Sequence, residues 1–217
     1  MSPCVRTVRV RQTGAVSDVV GLLLAAGAGR RMGGPKGLLR DPDGTPWVVR
    51  SARALLDGGC ARVVVVTGAS GPDVAALAAS VAGVRTVPAD DWAEGMGASL
   101  RAGLAALGAG TDVGTAAGPD VAAVVGLVDT PGVTADVVAR LVARARAGGP
   151  DGLARAAFGG VPGHPVALGR AHWDGVLAVA RGDAGAREYL RGRDVALVEC
   201  GDVGHGEDVD APPPADG

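Results

Sequence analysis

Lysine is almost missing from this chain: 217 residues hold one, Lys36, against twenty arginines. Aromatic residues are nearly as scarce, with three Trp, one Tyr and one Phe. The interior must therefore be packed from the Ala, Val and Leu that dominate a 47% hydrophobic composition. Cysteine is limited to Cys4, Cys60 and Cys200, an odd number without metal-ligand spacing. That excludes a disulfide framework or a thiolate zinc site and points to a reducing, cytoplasmic compartment. Positive charge is not in surplus either. The formal net charge is −2, and the one basic cluster, Arg6, Arg9 and Arg11, reads as a solvated extension, so nucleic acid is not an expected partner. Long apolar runs are missing too. The nearest approach, Val19 to Gly29, follows arginines and ends in small residues as a signal peptide does. It is too short to span a bilayer, Asp18 abuts it and Arg30-Arg31 follow it, so it reads as part of a soluble fold without a membrane anchor.

What is present is an alternation of buried strands and helices. Residues 1–17 carry no apolar period and read as a flexible leader. Val19 to Ala25 is a continuous aliphatic strand ending at a glycine-rich loop, as a parallel sheet covered on both faces requires. A helix follows over 46–57, closed by Gly58-Gly59. Then come a strand at Arg62–Thr67, a helix at Asp73–Ala82, a short strand near Val84–Val87 and a helix at Met96–Leu107. Residues 108–120 form a low-complexity loop. Val121–Val128 is the third strong strand, and Thr134 is placed to cap a helix running to Ala147. Beyond it the pattern weakens: a strand-like Gly152–Phe158, a loop to Leu168, helices near 170–180 and 184–191, a strand at 195–200, and a flexible tail over 211–217. The length fits one domain, expected over 18–210. The alternation predicts a three-layer α/β fold with a mainly parallel sheet, whose ligands sit at the carboxyl ends of the strands.

Lys36 closes the glycine-rich stretch that follows the first strand. A chain that otherwise uses arginine for its cations keeps a compact, strongly charged ammonium here, where a narrow site beside close-packed backbone would reject a planar guanidinium. Such a turn exposes amides to a phosphate chain, and Arg31 and Lys36 add charge. Two familiar phosphate loops are excluded by spacing. The dinucleotide fingerprint needs glycine three residues after Gly29, where Met32 stands; a Walker loop needs Gly-Lys-Ser/Thr, where Pro35-Lys36-Gly37 stands.

The stretch Leu24 to Lys36 resembles the signature loop of Rossmann-like nucleotidyltransferases, Leu-x-x-Gly-x-Gly-x-Arg-Met-Gly followed by Pro-Lys. The resemblance continues through Asp91–Gly103, Asp129-Thr130-Pro131, Gly163-His164-Pro165, Gly182–Arg187 and Asp208–Pro212, and is closest to the molybdenum cofactor cytidylyltransferase branch. It implies a three-layer Rossmann-like nucleotidyltransferase fold. It further implies a nucleotide site of Leu24, Ala25, Ala26, Gly27, Gly29, Arg31, Lys36, Ser99 and Arg101, with Lys36, Arg31 and Asp129 catalytic. Asp129 and Asp210 are the implied Mg²⁺ ligands and His164 an acceptor-side residue. The family usually has Gly where Val128 stands, which crowds the approach to Asp129. Asp208 and Asp210, two apart in an extended segment, are expected on opposite faces, with Asp210 toward the metal. Ser99 also reads as a plain helix cap. His172 and His205 read as ordinary surface residues.

The implied reaction is attack of a substrate phosphate on the α-phosphorus of a nucleoside triphosphate, with pyrophosphate leaving. It needs in-line placement and charge neutralisation rather than covalent help. Leu24-Ala25-Ala26-Gly27 goes with CTP in the resembling families, and Leu-Ala-Gly-Gly with GTP, so CTP and molybdopterin are the expected substrates. Transient contact with molybdoenzymes or their chaperones is the expected protein partnership. The alternatives are a guanylyltransferase of molybdenum or deazaflavin cofactor synthesis, a sugar-phosphate nucleotidyltransferase, and a non-catalytic nucleotide-binding or cofactor carrier.

Overall fold

Strand β1 (Val19–Leu24) is apolar at every position and buried at every position, because both of its faces are covered. Val19 and Leu23 pack into one core, and Val20, Leu22 and Leu24 into another on the opposite face. The same split runs through β2 (Val63–Thr67), with Val63 and Val65 on the first side and Val64 and Val66 on the second. Alternate residues of a strand point to opposite faces, so a doubly covered strand cannot show polar alternation. Each such Val or Leu side chain contributes roughly 1.5–3 kcal/mol when fully buried. A computed structural model of the chain describes residues 18–109 and 120–210. The expected leader, the tail and most of the expected 108–120 loop lie outside the described residues.

Seven strands form one sheet in the order β3-β2-β1-β4-β6-β5-β7. The first four, with β3 at Val84–Pro88 and β4 at Ala122–Leu127, are mutually parallel. Helices α1 (Trp47–Asp57), α2 (Gly71–Ala78) and α4 (Ala135–Gly148) cover the first face, and α3 (Met96–Gly108) and α5 (Trp173–Val179) the second. Thr134 caps α4 as its sequence position predicts, accepting a hydrogen bond from the Val137 amide at 3.3 Å. Close approach of α3 to the sheet depends on Gly103, where an added Cβ would sit 2.5 Å from Leu22 Cδ1. No helix among the described residues is long and apolar enough to cross a membrane. The layers and the mainly parallel sheet agree with the sequence reading.

The second half differs in detail. The expected loop before Leu168 is strand β6 (Val161–Gly169), antiparallel to both β4 and β5 (Leu153–Phe158). Pro162, Gly163 and Pro165 hide it, since proline and glycine read as strand breakers. Its pairing with β4 runs only from Val166 to Gly169, beyond the second proline, and its pairing with β5 shifts register between Arg155 and Ala157. The expected helix over 184–191 shrinks to α6 (Arg187–Leu190), because Gly182 and Gly185 take positive φ ahead of it. Strand β7 (Ala196–Glu199) closes the sheet, parallel to β5.

Candidate functional site

The loop after β1 is bent by its glycines. Gly29 sits at φ +56°, its carbonyl accepts hydrogen bonds from the Met32 and Gly34 amides at 2.8 and 3.3 Å, and an added Cβ would lie 2.0 Å from Gly34 O. The amides of Gly27 and Ala28 have no intramolecular acceptor among the described residues, and both residues line a cleft of about 350 Å³. Leu24, Ala26 and Gly29 line it as well, opposite Trp92, Met96 and Ser99, with Asp129 at its edge. Successive unpaired amides beside a small concave site suit an anion.

Lys36 lies at the far side of this loop, where its ammonium is clasped by two carboxylates, Asp129 Oδ2 at 2.7 Å and Asp210 Oδ1 at 2.5 Å. Asp129 lies two residues beyond the end of β4 and is brought beside the β1 loop by parallel pairing of the two strands. Asp210 arrives from the other end of the chain. Its segment is tied down by the Thr134 hydroxyl donating to Val203 O, the His205 amide to Gly132 O and the Val209 amide to Asp129 O. Burial opposes the Lys36 charge, but the hydrogen bonds and charges of both aspartates outweigh it and hold its pKa above the ordinary lysine value. The Lys36 hydrogen bond is also the main reason that the Asp210 carboxyl lies below the usual carboxylate range. A single compact ammonium fits between two converging carboxylates where a wide guanidinium would not, a physical reason for lysine at this position.

The two carboxylates also fit a divalent cation. Their two oxygens already converge on one cation, the Lys36 ammonium, whose place a small divalent ion could take with water and phosphate oxygens as its other ligands. No group of three or more His, Cys, Asp or Glu among the described residues would cage a metal by itself. The donor set therefore suits a cation carried in with a nucleotide better than a resident metal.

Beyond Met96, Leu127 and Asp183, which both sites share, lies a second cavity of about 310 Å³. His164, Thr130, Asp208, Arg155 and Arg187 line it. His164 is half-buried, and its Nδ1 has no hydrogen-bond partner among the described residues. Burial holds its imidazole below the ordinary histidine value, with Arg155 and Arg187 adding to that effect and the Val125 carbonyl and Asp129 opposing it.

The expected site residues are thus divided. Leu24, Ala26, Gly27, Gly29, Ser99 and Asp129 meet in the first cleft, while Arg31, Lys36 and Asp210 meet at its rim. Ala25 is buried in the first core beneath the loop. Arg101 does not line the cleft; it donates to Ala180 O at 2.7 Å and to Glu94 at 2.9 Å, and so ties α3 to neighbouring segments. Asp208 lines the second cavity, and Asp210 meets Lys36. His172 is half-buried, with a hydrogen bond at each ring nitrogen, to Tyr189 Oη and Asp151 O. Sequence reasoning missed Trp92, Met96, Asp183, Arg155 and Arg187 as lining residues. Four of these lie in or beside the Asp91–Gly103 and Gly182–Arg187 segments, whereas Arg155 carries no motif at all.

Nucleotide-sized cleft, amide cradle and lysine–carboxylate cluster at the carboxyl ends of parallel strands define a nucleotidyl-transfer type of α/β protein. A model of the MobA-like NTP transferase domain matches residues 21–199, and the chain belongs to that family of nucleotidyltransferases. It is 38% identical over 202 residues to nicotine blue oxidoreductase of Paenarthrobacter nicotinovorans, covering 88% of this chain and 92% of that protein. Rv0371c of Mycobacterium tuberculosis H37Rv superposes with a TM-score of 0.71 at 23% identity, over 90% of this chain and 94% of that one. A manganese complex of Rv0371c superposes at 0.63 with 24% identity, over 84% of this chain and 88% of that one. Mth528, a nucleotidyl transferase from Methanothermobacter, superposes at 0.66 with 22% identity, over 84% and 87% of the two chains. At these identities the solved structures speak for the fold.

Proposed function

We propose that the protein transfers CMP from CTP to the phosphate of molybdopterin and releases pyrophosphate. The observation that carries this reading is the seam between the two cavities: they share Met96, Leu127 and Asp183, and Asp129 stands beside it. A nucleotide in the first and a phosphate monoester in the second would meet there with their reacting groups in line. The Gly27 and Ala28 amides, with Arg31 at the rim, would hold the triphosphate. Asp129 and Asp210 would hold Mg²⁺, which supplies charge neutralisation at the reacting phosphates; the manganese complex of Rv0371c supports use of a divalent ion. Lys36 would then exchange its carboxylate partners for phosphate oxygens. An acceptor phosphate oxygen forms the new bond to the α-phosphorus as the bond to the bridging oxygen breaks. Pyrophosphate carries away that electron pair, and no proton need move, because the acceptor is already anionic. The Ala26 methyl lines the cleft and supports the smaller base. Cys60 and Cys200 are free thiols, in keeping with a cytoplasmic location.

The relative named for an oxidoreductase favours a second reading, in which the cleft takes a redox dinucleotide and reduces an organic acceptor. The first loop argues against it, since Met32 stands where a dinucleotide fingerprint has glycine. One experiment separates the readings. Pyrophosphate release is measured with CTP, GTP, ATP and UTP against molybdopterin and sugar phosphates, beside a bleaching assay with nicotine blue and a reduced nicotinamide dinucleotide. Release from CTP with molybdopterin alone is expected. Turnover of another pair would remove the cytidylyl assignment, and bleaching without pyrophosphate would replace the transferase reading.

A further inference from the structure

The second cavity contains a feature that nucleotide transfer leaves unexplained. Arg155, on β5, and Arg187, at the start of α6, line it together, and neither has a carboxylate within ion-pair distance among the described residues. Arg155 is fixed in place: its Nε and Nη2 both donate to Gly163 O, at 3.3 and 3.2 Å. Its Nη1 donors have no partner among the described residues. Burial, and then the neighbouring charge of Arg187, holds the Arg155 guanidinium below its ordinary value, so the two cations feel each other. Like charges held close without a counter-ion are costly unless an anion completes the cluster.

The acidic lining does not do so. Asp183 lines both cavities and Asp208 lines the second, but neither comes within ion-pair distance of Arg155 or Arg187 among the described residues. Apolar surface from Leu127, Val166 and Leu190 lines the same space. His164 lines it too, and its buried Nδ1 has no hydrogen-bond partner among the described residues.

We propose that Arg155 and Arg187 form an anion clasp that holds an organic phosphate in the second cavity, its carbon body against Leu127, Val166 and Leu190. Guanidinium forks match phosphate oxygens in pairs, which suits them to this task. The clasp rests on the transferase reading only in naming that phosphate as the acceptor's. It makes the two arginines specificity-determining residues for the acceptor and leaves nucleotide binding to the first cleft.

The test is calorimetric titration of the full chain with phenyl phosphate, with and without saturating Mg·CTP, for wild type, Arg187→Gln, Arg187→Lys and Arg155→Gln. Arg187 is exposed and its side chain has no hydrogen-bond or ion-pair partner among the described residues, so its variants should fold normally; melting curves check this. Wild type is expected to bind one phenyl phosphate with Mg·CTP present. Arg187→Gln should weaken it about tenfold or more and Arg187→Lys less. Mg·CTP affinity should change less than twofold in every variant. Unchanged phenyl phosphate binding in both Gln variants would overturn the clasp, as would displacement of phenyl phosphate by Mg·CTP, which would place it in the triphosphate site. If wild type binds no CTP while phenyl phosphate still depends on Arg187, the transferase reading fails and the clasp stands.

Discussion

The two cavities differ in what lines them. The first opens at the loop after β1, a bent glycine loop whose Gly27 and Ala28 amides have no acceptor among the described residues, beside Ser99 and Asp129. The second is lined largely by β6 and residues 183–190, and its polar side chains are Arg155, Arg187 and His164 together with Thr130, Asp183 and Asp208. Backbone amides recognise what every nucleoside triphosphate shares. Side chains on less regular elements recognise what one acceptor has and another lacks. The Lys36–Asp129–Asp210 cluster stands beside the first cavity, where the proposed reaction needs its charge.

Changes at that cluster should have the largest effects. Asp129→Ala is expected to lower pyrophosphate release by on the order of 10³ in a chain that still folds, since one preorganised charge typically accounts for 10² or more. Lys36→Ala should cost about 10²-fold in turnover and, unlike Asp129→Ala, should strengthen binding of Mn²⁺ alone, because it uncovers two carboxylates. Electron paramagnetic titration of free Mn²⁺ reads that contrast; weaker Mn²⁺ binding in Lys36→Ala would count against the shared site.

A smaller effect separates the cavities. Gly29→Ala forces a Cβ to within 2.0 Å of Gly34 O at positive φ, so the loop must open. A strain of roughly 1–3 kcal/mol should raise the Kd for Mg·CTP about tenfold and leave phenyl phosphate binding untouched. Loss of both affinities together would show that the two cavities are not separable. Ala26→Gly, which removes one methyl from the cleft, should shift the CTP/GTP preference toward GTP by a few-fold, read from relative pyrophosphate release.

The smallest effect is a pH dependence confined to the second cavity. The folded-state pKa of His164 is lowered, mainly by burial, so the unfolded chain takes up the proton first as pH falls. Its contribution to stability is therefore undiminished above the ordinary histidine range and declines as pH drops through that range toward the folded-state value. Replacing His164 by Gln should flatten the melting temperature between about pH 7.5 and about pH 5. An unchanged slope would mean that His164 is not held neutral.

The same contrast explains what was legible in the sequence. β1, β2 and β4 are covered on both faces, so they read as unbroken aliphatic runs, and the loop after β1 has a spacing that allows few alternatives. β6 was not legible, because Pro162 and Pro165 are tolerated where its pairing with β4 has not yet begun. Arg101 differs for another reason: it lies on a recognisable segment, yet its guanidinium is engaged by Ala180 O and Glu94, and nothing in spacing reports that. Arg155 was invisible because its neighbour in the cavity, Arg187, is 32 positions away and joins it only through folding. The lone lysine showed that something at position 36 needed an ammonium, but not that the ammonium would be found between two carboxylates.

The central claim is one direct transfer between two cavities filled at the same time. It is tested most directly by the stereochemistry at phosphorus, using a single diastereomer of CTP with sulfur replacing one α-phosphate oxygen. Inversion in the nucleotidylated product is predicted, since a single in-line displacement turns the α-phosphorus over once. Retention would contradict the account, because it would require a covalent nucleotidyl–protein intermediate and two successive displacements.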